Sequence, residues 1–398
     1  MFQQMTALPP DPLLGIAAAY KADSNPKKVD LGVGVYKTED GKTPILTSVQ
    51  KSLQILLDSE DSKSYIQPRG NQAFLDNMEQ LVLGSSNPLL ASGRVESVQA
   101  PGGTGSLKLG FQLIKRSNPN AKIWVSGPTW ANHVALIKSS GLDHAEYPYY
   151  DKANNQLKAD EMLETLAQLG PNDVVLLHGC CHNPTGEDLT PELWNKITDL
   201  AVEKGFLPYI DIAYQGFGID LDTDVAGVRH LLSKVPEALI ATSCSKNFGL
   251  YRERTGLITT VSQTPELASV ALSHVLNIAR EIYSMPPSYG GAAVGILLSN
   301  PELTTEWKGE LAEMCGRMRN LRAMLVDKIH ERGVDEDFSF INRQNGMFTF
   351  LGITPEQVQA MRDEYAIYMA GSSRINIAGI SSSNVDYIAD AVAAILKK

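Results

Sequence analysis

Short apolar runs, most of them bounded by turn residues, punctuate the middle of the chain: AKIWVSG (121–127), NDVVLLHG (172–179), FLPYIDI (206–212) and ALIATSCS (238–245). Each is predicted to be a strand. Helical stretches separate them. One runs from Ser106 to about Arg116, and another opens at Thr190-Pro191-Glu192, with Thr190 as N-cap and Pro191 at the first helical position. Strand and helix therefore alternate, which predicts a mostly parallel sheet covered on both faces, with a binding crevice beyond the carboxyl ends of its strands. The alternation weakens after about residue 310. There, longer helical segments surround FSFINRQNGMFTFLG (338–352), which reads as strand, turn, strand and predicts a second, smaller α+β domain. The early segment VDLGVGVYKTEDGKTPIL (29–46) carries Gly and Asp-Gly turn signals, stands outside the alternation, and is expected to pack on the small domain. No internal repeat or low-complexity tract interrupts this plan.

Composition narrows the class. The 398 residues suffice for a two-domain enzyme, and 43% hydrophobic with 20% charged residues is the balance of an ordinary globular protein. A net charge of −10 argues against a surface built to neutralise nucleic-acid phosphates, so any bound anion must be held locally. The four cysteines, Cys180, Cys181, Cys244 and Cys315, follow no zinc or disulfide-framework spacing, and reduced thiols in a cytoplasmic protein are expected, with no bound metal. The first residues lack the basic and apolar parts of a signal peptide, and no apolar run is long enough to span a membrane.

Five segments carry candidate chemistry. In SCSKNFGLYRER (243–254), Lys246 follows a strand-like run and precedes a Gly-containing turn. Most lysines are solvated surface groups. A desolvated lysine at a strand lip, flanked by Ser243, Ser245 and Arg254, is suited instead to form a Schiff base, because its free amine becomes accessible. The run APGGTGSLKLGF (100–111) is a glycine-rich turn entering a helix; it reads equally as a capping turn or as a phosphate cradle with Thr104 as an added hydroxyl. A helix N-terminus contributes only about 0.3–2 kcal/mol to anion binding, so a dianion needs an arginine, for which Arg254 is the candidate.

Asp211 closes the run FLPYIDI, with Tyr214 three residues on; it is either a turn aspartate or the partner of a protonated ring nitrogen. HGCCHNPTGEDLT (178–190) places Asn183 in a turn, and His178 and His182 read as structural groups rather than metal ligands. In MAGSSRINIAGIS (369–381), Arg374 offers a planar fork to a substrate carboxylate, or else to an internal acid.

Taken together, HNPTG with Asn183, DIAYQGF with Asp211 and Tyr214, and SKNFGLYRER with Lys246 and Arg254 resemble the class I aminotransferases, in particular the bacterial aspartate and aromatic-amino-acid branch. The resemblance covers nearly the whole chain and extends to GVGVYK around Gly34, SYIQPRG with Tyr65, GPTWANH with Trp130 and His133, and REIYSMPPSYGG with Arg280. It implies the type I pyridoxal-phosphate-dependent transferase fold: α/β, a large domain with a mostly parallel seven-stranded sheet, plus a smaller α+β domain. Residues 1–43 would form an N-terminal arm and part of the small domain, 44–313 the large cofactor-binding domain, and 314–398 the small C-terminal domain.

By the same resemblance, Lys246 carries pyridoxal 5'-phosphate and moves the substrate proton, Asp211 and Tyr214 act on the cofactor ring, and Trp130 stacks on it with His133 behind Asp211. Gly102, Gly103, Thr104, Ser243 and Arg254 hold the phosphate; Gly34, Trp130, Asn183, Arg280 and Arg374 contact substrate. Tyr65 and Arg280 are expected from the other subunit of a homodimer. The implied reaction is ping-pong transfer of an amino group to a 2-oxo acid. An aromatic donor that shares the site with aspartate or glutamate is expected over a strict aspartate enzyme, because Ser64 and Met285 replace two asparagines of aspartate-specialised relatives. A β-lyase or decarboxylase using the same cofactor would differ in its products, and a regulatory module would need a DNA-binding segment.

Overall fold

The computed structural model describes residues 2–8 and 12–397. The chain divides into two compact units: one of residues 44–317 with 344–346, the other of residues up to Thr43, 318–343 and 347 onward.

The larger unit is built on seven strands: β1 (Val95–Pro101), β2 (Lys122–Gly127), β3 (Asp143–Pro148), β4 (Asp173–His178), β5 (Leu207–Ile212), β6 (Ala238–Ser243) and β7 (Thr255–Val261). They lie in the order β1-β7-β6-β5-β4-β2-β3. β7 runs antiparallel to both β1 and β6, and every other neighbouring pair is parallel. The apolar runs produce this arrangement because β6 and β7 are buried along their whole length and β4 and β5 almost so, as a sheet covered on both faces requires. The runs at 121–127, 172–179, 206–212 and 238–245 are β2, β4, β5 and β6.

On one face, helices Gly102–Ser117 and Pro265–Ile282 pack through Leu107, Phe111, Ile114, Val275 and Ile278 onto Val98, Ile123, Val125, Leu239 and Ile258. Gly110 sets how closely the first helix approaches. A Cβ there would stand 2.1 Å from the Tyr209 hydroxyl, which donates to the carbonyls of Ser106 and Leu107, each at 3.1 Å. That contact fixes the helix over β5 and points its N-terminus at the sheet's carboxyl edge. Helix Pro191–Lys204 starts as expected: the Thr190 hydroxyl accepts the Leu193 N–H at 3.3 Å, and Gly205 ends the helix at φ +74°.

The smaller unit carries two short ladders. Val29–Asp30 pairs in parallel with Ile367–Tyr368, so the 29–46 segment begins inside this unit. Phe348–Phe350 pairs antiparallel with Arg374–Asn376. This corrects the strand-turn-strand reading of 338–352. Its first half is the helical turn Phe340–Arg343, buried through Phe340 and Ile341, and only its second half is a strand, with a partner about 25 residues further on. Two apolar runs around an Asn-Gly turn imitate a hairpin locally, but tertiary pairing overrides that signal.

Candidate active site

One edge of the large sheet collects the candidate residues because β7 alone runs backwards. Its first residue, Thr255, pairs with Pro101 at the end of β1, and Gly256 pairs with Ser243 at the end of β6. Arg254, which precedes β7, therefore arrives beside the helix that follows β1 and the loop that follows β6. Gly256 makes the approach possible, since a Cβ there would stand 2.6 Å from the Thr242 carbonyl and 2.7 Å from the Gly102 backbone. The helix itself opens at Gly102, four residues earlier than expected, so the glycines and Thr104 form its first turn.

Arg254 is held in the left-handed region at φ 53° and donates from Nη1 to the Tyr251 carbonyl at 2.9 Å and the Ser245 hydroxyl at 3.4 Å. Gly102, at φ +69°, leaves room for the guanidinium: a Cβ there would lie 2.4 Å from Nη2. A Cβ on Gly103 would lie 3.0 Å from that of Ser243. Free N–H groups at a helix start, a guanidinium and a serine hydroxyl thus converge on a cradle that side chains at either glycine would fill, and that donor set fits a phosphate.

Lys246 is half-buried, with Nζ 4.9 Å from the centroid of the Tyr214 ring. Desolvation pushes its ammonium down to about 8; Asp211 opposes this and Arg254 reinforces it. A lysine so placed is largely ammonium at neutral pH yet carries a useful fraction of nucleophilic amine.

Asp211, the penultimate residue of β5, is 8% exposed. Burial is the strongest influence on it and favours the protonated acid, but the His133 hydrogen bond, helped by the nearby Lys246 ammonium, opposes burial, and the carboxyl is held below its usual range. A buried carboxylate kept ionised is suited to pair with a ring N–H cation. The His133 Nε2 bond to Asp211 Oδ2 measures 2.9 Å. Behind it, Thr129 Oγ1 sits 2.8 Å from His133 Nδ1 and 3.3 Å from His178 Nε2. A His133 tautomer protonated on Nε2 satisfies the row: it donates to Asp211 and accepts from the Thr129 hydroxyl, which accepts from His178.

Burial, followed by the nearby His133, pushes His178 down to about 3, and burial likewise drives His182 far below its ordinary value. His182 bonds Ser126 and Thr185, each at 2.9 Å, and stacks on Tyr149. Both are neutral structural imidazoles. Trp130 meets His133 edge to face at 5.2 Å, while Asn183 and Tyr214 are buried at the same edge.

Sequence reasoning missed Thr129, although its place four residues before His133, at a helix entry, was a usable signal. It also missed Asp188, which accepts the N–H groups of Cys181 and His182 and so shapes the turn before Asn183. Nothing short-range marked that acid.

In the smaller unit, Arg374 is 6% exposed and lies over the Phe348 ring at 4.3 Å, with Nη2 donating to the Gly32 carbonyl at 3.0 Å. Asn376, two residues along the strand, donates to the carbonyls of Val33 and Val35 and pins the Gly34 loop beside it. Gly34 must remain small, since a Cβ would come within 2.9 Å of Phe348. Tyr65 and Arg280 stand apart. Tyr65 is 93% exposed, and Arg280 is exposed on the last turn of its helix, donating to the Ser284 hydroxyl. Among the described residues, no hydrogen bond or ion pair joins either to Lys246, Asp211 or Arg254.

Fold and site together define an α/β enzyme in which a reactive amine, a fixed cation and a buried carboxylate gather at the carboxyl edge of a mostly parallel sheet. Residues 26–392 match the family model described as aminotransferase class I and II. The chain belongs to that family. It is 42% identical over 396 residues to the aspartate aminotransferase of Haemophilus influenzae, covering 100% of both chains. Its structure superposes with a TM-score of 0.98 on the aromatic-amino-acid aminotransferase of Burkholderia pseudomallei covalently bound to pyridoxal phosphate, at 40% identity over 100% of this chain and 99% of that one. It matches equally, at TM-score 0.98 and 38% identity with full coverage of both chains, the psychrophilic aromatic amino acids aminotransferase from Psychrobacter sp. B6 cocrystallised with aspartic acid. The expected transferase fold is the one observed. No helix among the described residues is long and apolar enough to cross a membrane.

Proposed function

We propose that this chain is a cytoplasmic, homodimeric, pyridoxal-phosphate-dependent aminotransferase that moves the amino group of phenylalanine, tyrosine or tryptophan, and of aspartate or glutamate, to 2-oxoglutarate. The observation that carries the reading is the grouping of Lys246, its ammonium pushed down to about 8, with Arg254 and the ionised, His133-bonded Asp211.

In this reading residues 44–313 form the cofactor-binding domain, residues 1–43 with 314–398 supply the arm and the small domain, and the two subunits share their active sites. Pyridoxal phosphate, when bound, supplies a ring that accepts the electron pair left when the substrate α-carbon loses a proton. The protein's residues do the rest. Gly102, Gly103, Thr104, Ser243 and Arg254 hold the phosphate; Trp130 covers the ring, and Asn183 and Tyr214 hold its hydroxyl oxygen. Asp211 keeps the ring nitrogen protonated. Lys246 would carry the cofactor and, as a free amine, would serve as the base that takes the substrate α-proton and the acid that delivers it to the cofactor carbon on the far side of the shared nitrogen. Arg374, beside Gly34, binds the α-carboxylate that every donor shares. Tyr65 and Arg280 enter from the second subunit, Tyr65 towards the phosphate and Arg280 towards a distal carboxylate.

Specificity rests on Arg280, Ser64 and Met285. Met285 offers an adaptable apolar wall, and burying an aromatic ring contributes roughly 1.5–3 kcal/mol, enough to compete with an ionic contact that has lost two supporting amides. The second reading, an aspartate aminotransferase, is favoured by the retained Arg280 and by the aspartate-specific name of the Haemophilus relative. The deciding experiment compares kcat/KM for phenylalanine, tyrosine and aspartate with 2-oxoglutarate as common acceptor. Values within about a hundredfold support the dual enzyme; aspartate ahead by more, roughly 2.7 kcal/mol of transition-state stabilisation, assigns the aspartate enzyme.

A further inference from the structure

The turn between β4 and Asn183 places two thiols side by side, and the amino-transfer chemistry uses neither. Cys180 and Cys181 are 5% and 2% exposed. A third group reaches them from a distant part of the chain: the Asp224 carboxylate, whose oxygen lies with both sulfurs in a set whose members are all within 4.8 Å of one another. Adjacent cysteines alone match no zinc motif, because the third donor lies more than forty residues away. We propose that Cys180, Cys181 and Asp224 form a site for one thiophilic divalent cation of the zinc or cadmium type.

Zinc–sulfur bonds of about 2.3 Å put the donors of a tetrahedral ion roughly 3.8 Å apart, so the three atoms need draw in by only about 1 Å. Their surroundings steady such a site. Asp224 is oriented by three backbone N–H groups: Gly216 and Gly218 at 2.8 and 2.9 Å on Oδ2, and Ile219 at 2.7 Å on Oδ1. Asp188 fixes the thiol turn through the N–H groups of Cys181 and His182 at 2.9 and 2.8 Å. Outer bonds of this kind hold ligands in position for a metal.

Asp224 is half-buried and the two thiols are buried, and the neighbouring Asp222 is already paired with Arg229 Nη1 at 2.9 Å, so Asp224 is the acid on its loop that reaches the thiols. The donor set then selects the ion. Two sulfurs reject calcium and magnesium, which take oxygen ligands, and retain zinc or cadmium. Binding displaces two thiol protons, so a divalent ion meets two thiolates and one carboxylate. Cys181 Sγ lies 3.9 Å from the Tyr214 carbonyl, so the ion would tie the turn leading to Asn183 to the segment carrying Tyr214.

The test is a titration of the cofactor-loaded protein with cadmium, read by equilibrium dialysis and by the ultraviolet absorption that appears when thiolates bind the ion. Expected are one ion per chain and a thiolate band that is lost when Cys180 and Cys181 are replaced but kept when Cys244 and Cys315 are. Cys180→Ser with Cys181→Ser should weaken binding at least a hundredfold, and Asp224→Asn about ten- to a hundredfold; magnesium should not compete. Wild-type protein that binds no cadmium, or binds it without a thiolate band, overturns the proposal whatever the folding of the variants, as does a folded Cys180→Ser, Cys181→Ser variant that keeps wild-type affinity. Because the readouts follow the ion and not turnover, they stand or fall separately from the assignment of amino transfer.

Discussion

At the scale of single residues, the account turns on charge placed where water is scarce. Lys246 is pushed down to about 8 from an ordinary value near 10.5, first by desolvation, with Arg254 reinforcing and Asp211 opposing. The amine, not the ammonium, attacks an aldehyde, so the rate at which cofactor-free protein captures pyridoxal phosphate should rise about tenfold between pH 7 and 9 and then level off. A lysine of ordinary basicity would still be climbing above pH 9. The same shift acts on folding with a definite sign: the unfolded chain binds the extra proton between about pH 8 and 10.5, so this group's destabilising contribution is present in full below pH 8 and fades as pH rises through that window.

Arg374 is the second residue-scale test. Arg374→Ala should lower kcat/KM for aspartate and phenylalanine alike, by the roughly 2–5 kcal/mol that losing a buried charge partner costs. Near wild-type turnover of both donors would give the role to another side chain. Residues of this kind were legible in the sequence because each sits next to a strand end or small-residue turn that announces it. Thr129 and Asp188 were not, because their work consists of bonds to groups several turns or loops away.

At the scale of elements, glycines decide how closely Arg254 and Ser243 approach the start of the helix that follows β1, where the phosphate cradle is proposed. Gly102→Ala would place a Cβ 2.4 Å from Arg254 Nη2 at a φ of +69°, which costs about 1–2 kcal/mol in backbone strain and displaces the guanidinium. Cofactor affinity, measured by fluorescence titration of the cofactor-free variant, should fall at least tenfold; unchanged affinity would remove Arg254 from the cradle. Gly110→Ala probes the scaffold instead. Its Cβ would collide with the Tyr209 hydroxyl, and overpacking of about 1–3 kcal/mol should lower the unfolding midpoint. The alternation of strands and helices was readable because β2, β4, β5 and β6 are continuous apolar runs. β1, β3 and β7 were passed over: VESVQAP and DHAEYP mix polar residues into the run, and TGLITTV is rich in threonine. The 338–352 segment misled for the opposite reason, since its Asn-Gly turn joins a helical turn to a strand that pairs elsewhere.

At the scale of the whole molecule, the exposed Tyr65 and Arg280, together with Phe2, Met5 and Leu8 at 81%, 72% and 88% exposure, fit a chain that is completed by a second copy. Mixed dimers of Lys246→Ala and Arg280→Ala subunits should regain about one competent site per pair for dicarboxylic donors, and verified heterodimers without recovery would contradict the shared site. The expectation of a shared site rests on family resemblance alone, because one chain's periodicity records its own core and not a partner's surface. The central claim, that this fold carries pyridoxal phosphate on Lys246, is tested most directly by borohydride reduction of the active holoenzyme followed by peptide mapping. The account predicts one cofactor-bearing peptide per chain, SCSKNFG, modified at Lys246. A fully active sample whose label lies on another lysine, with Lys246 unmodified, would contradict it.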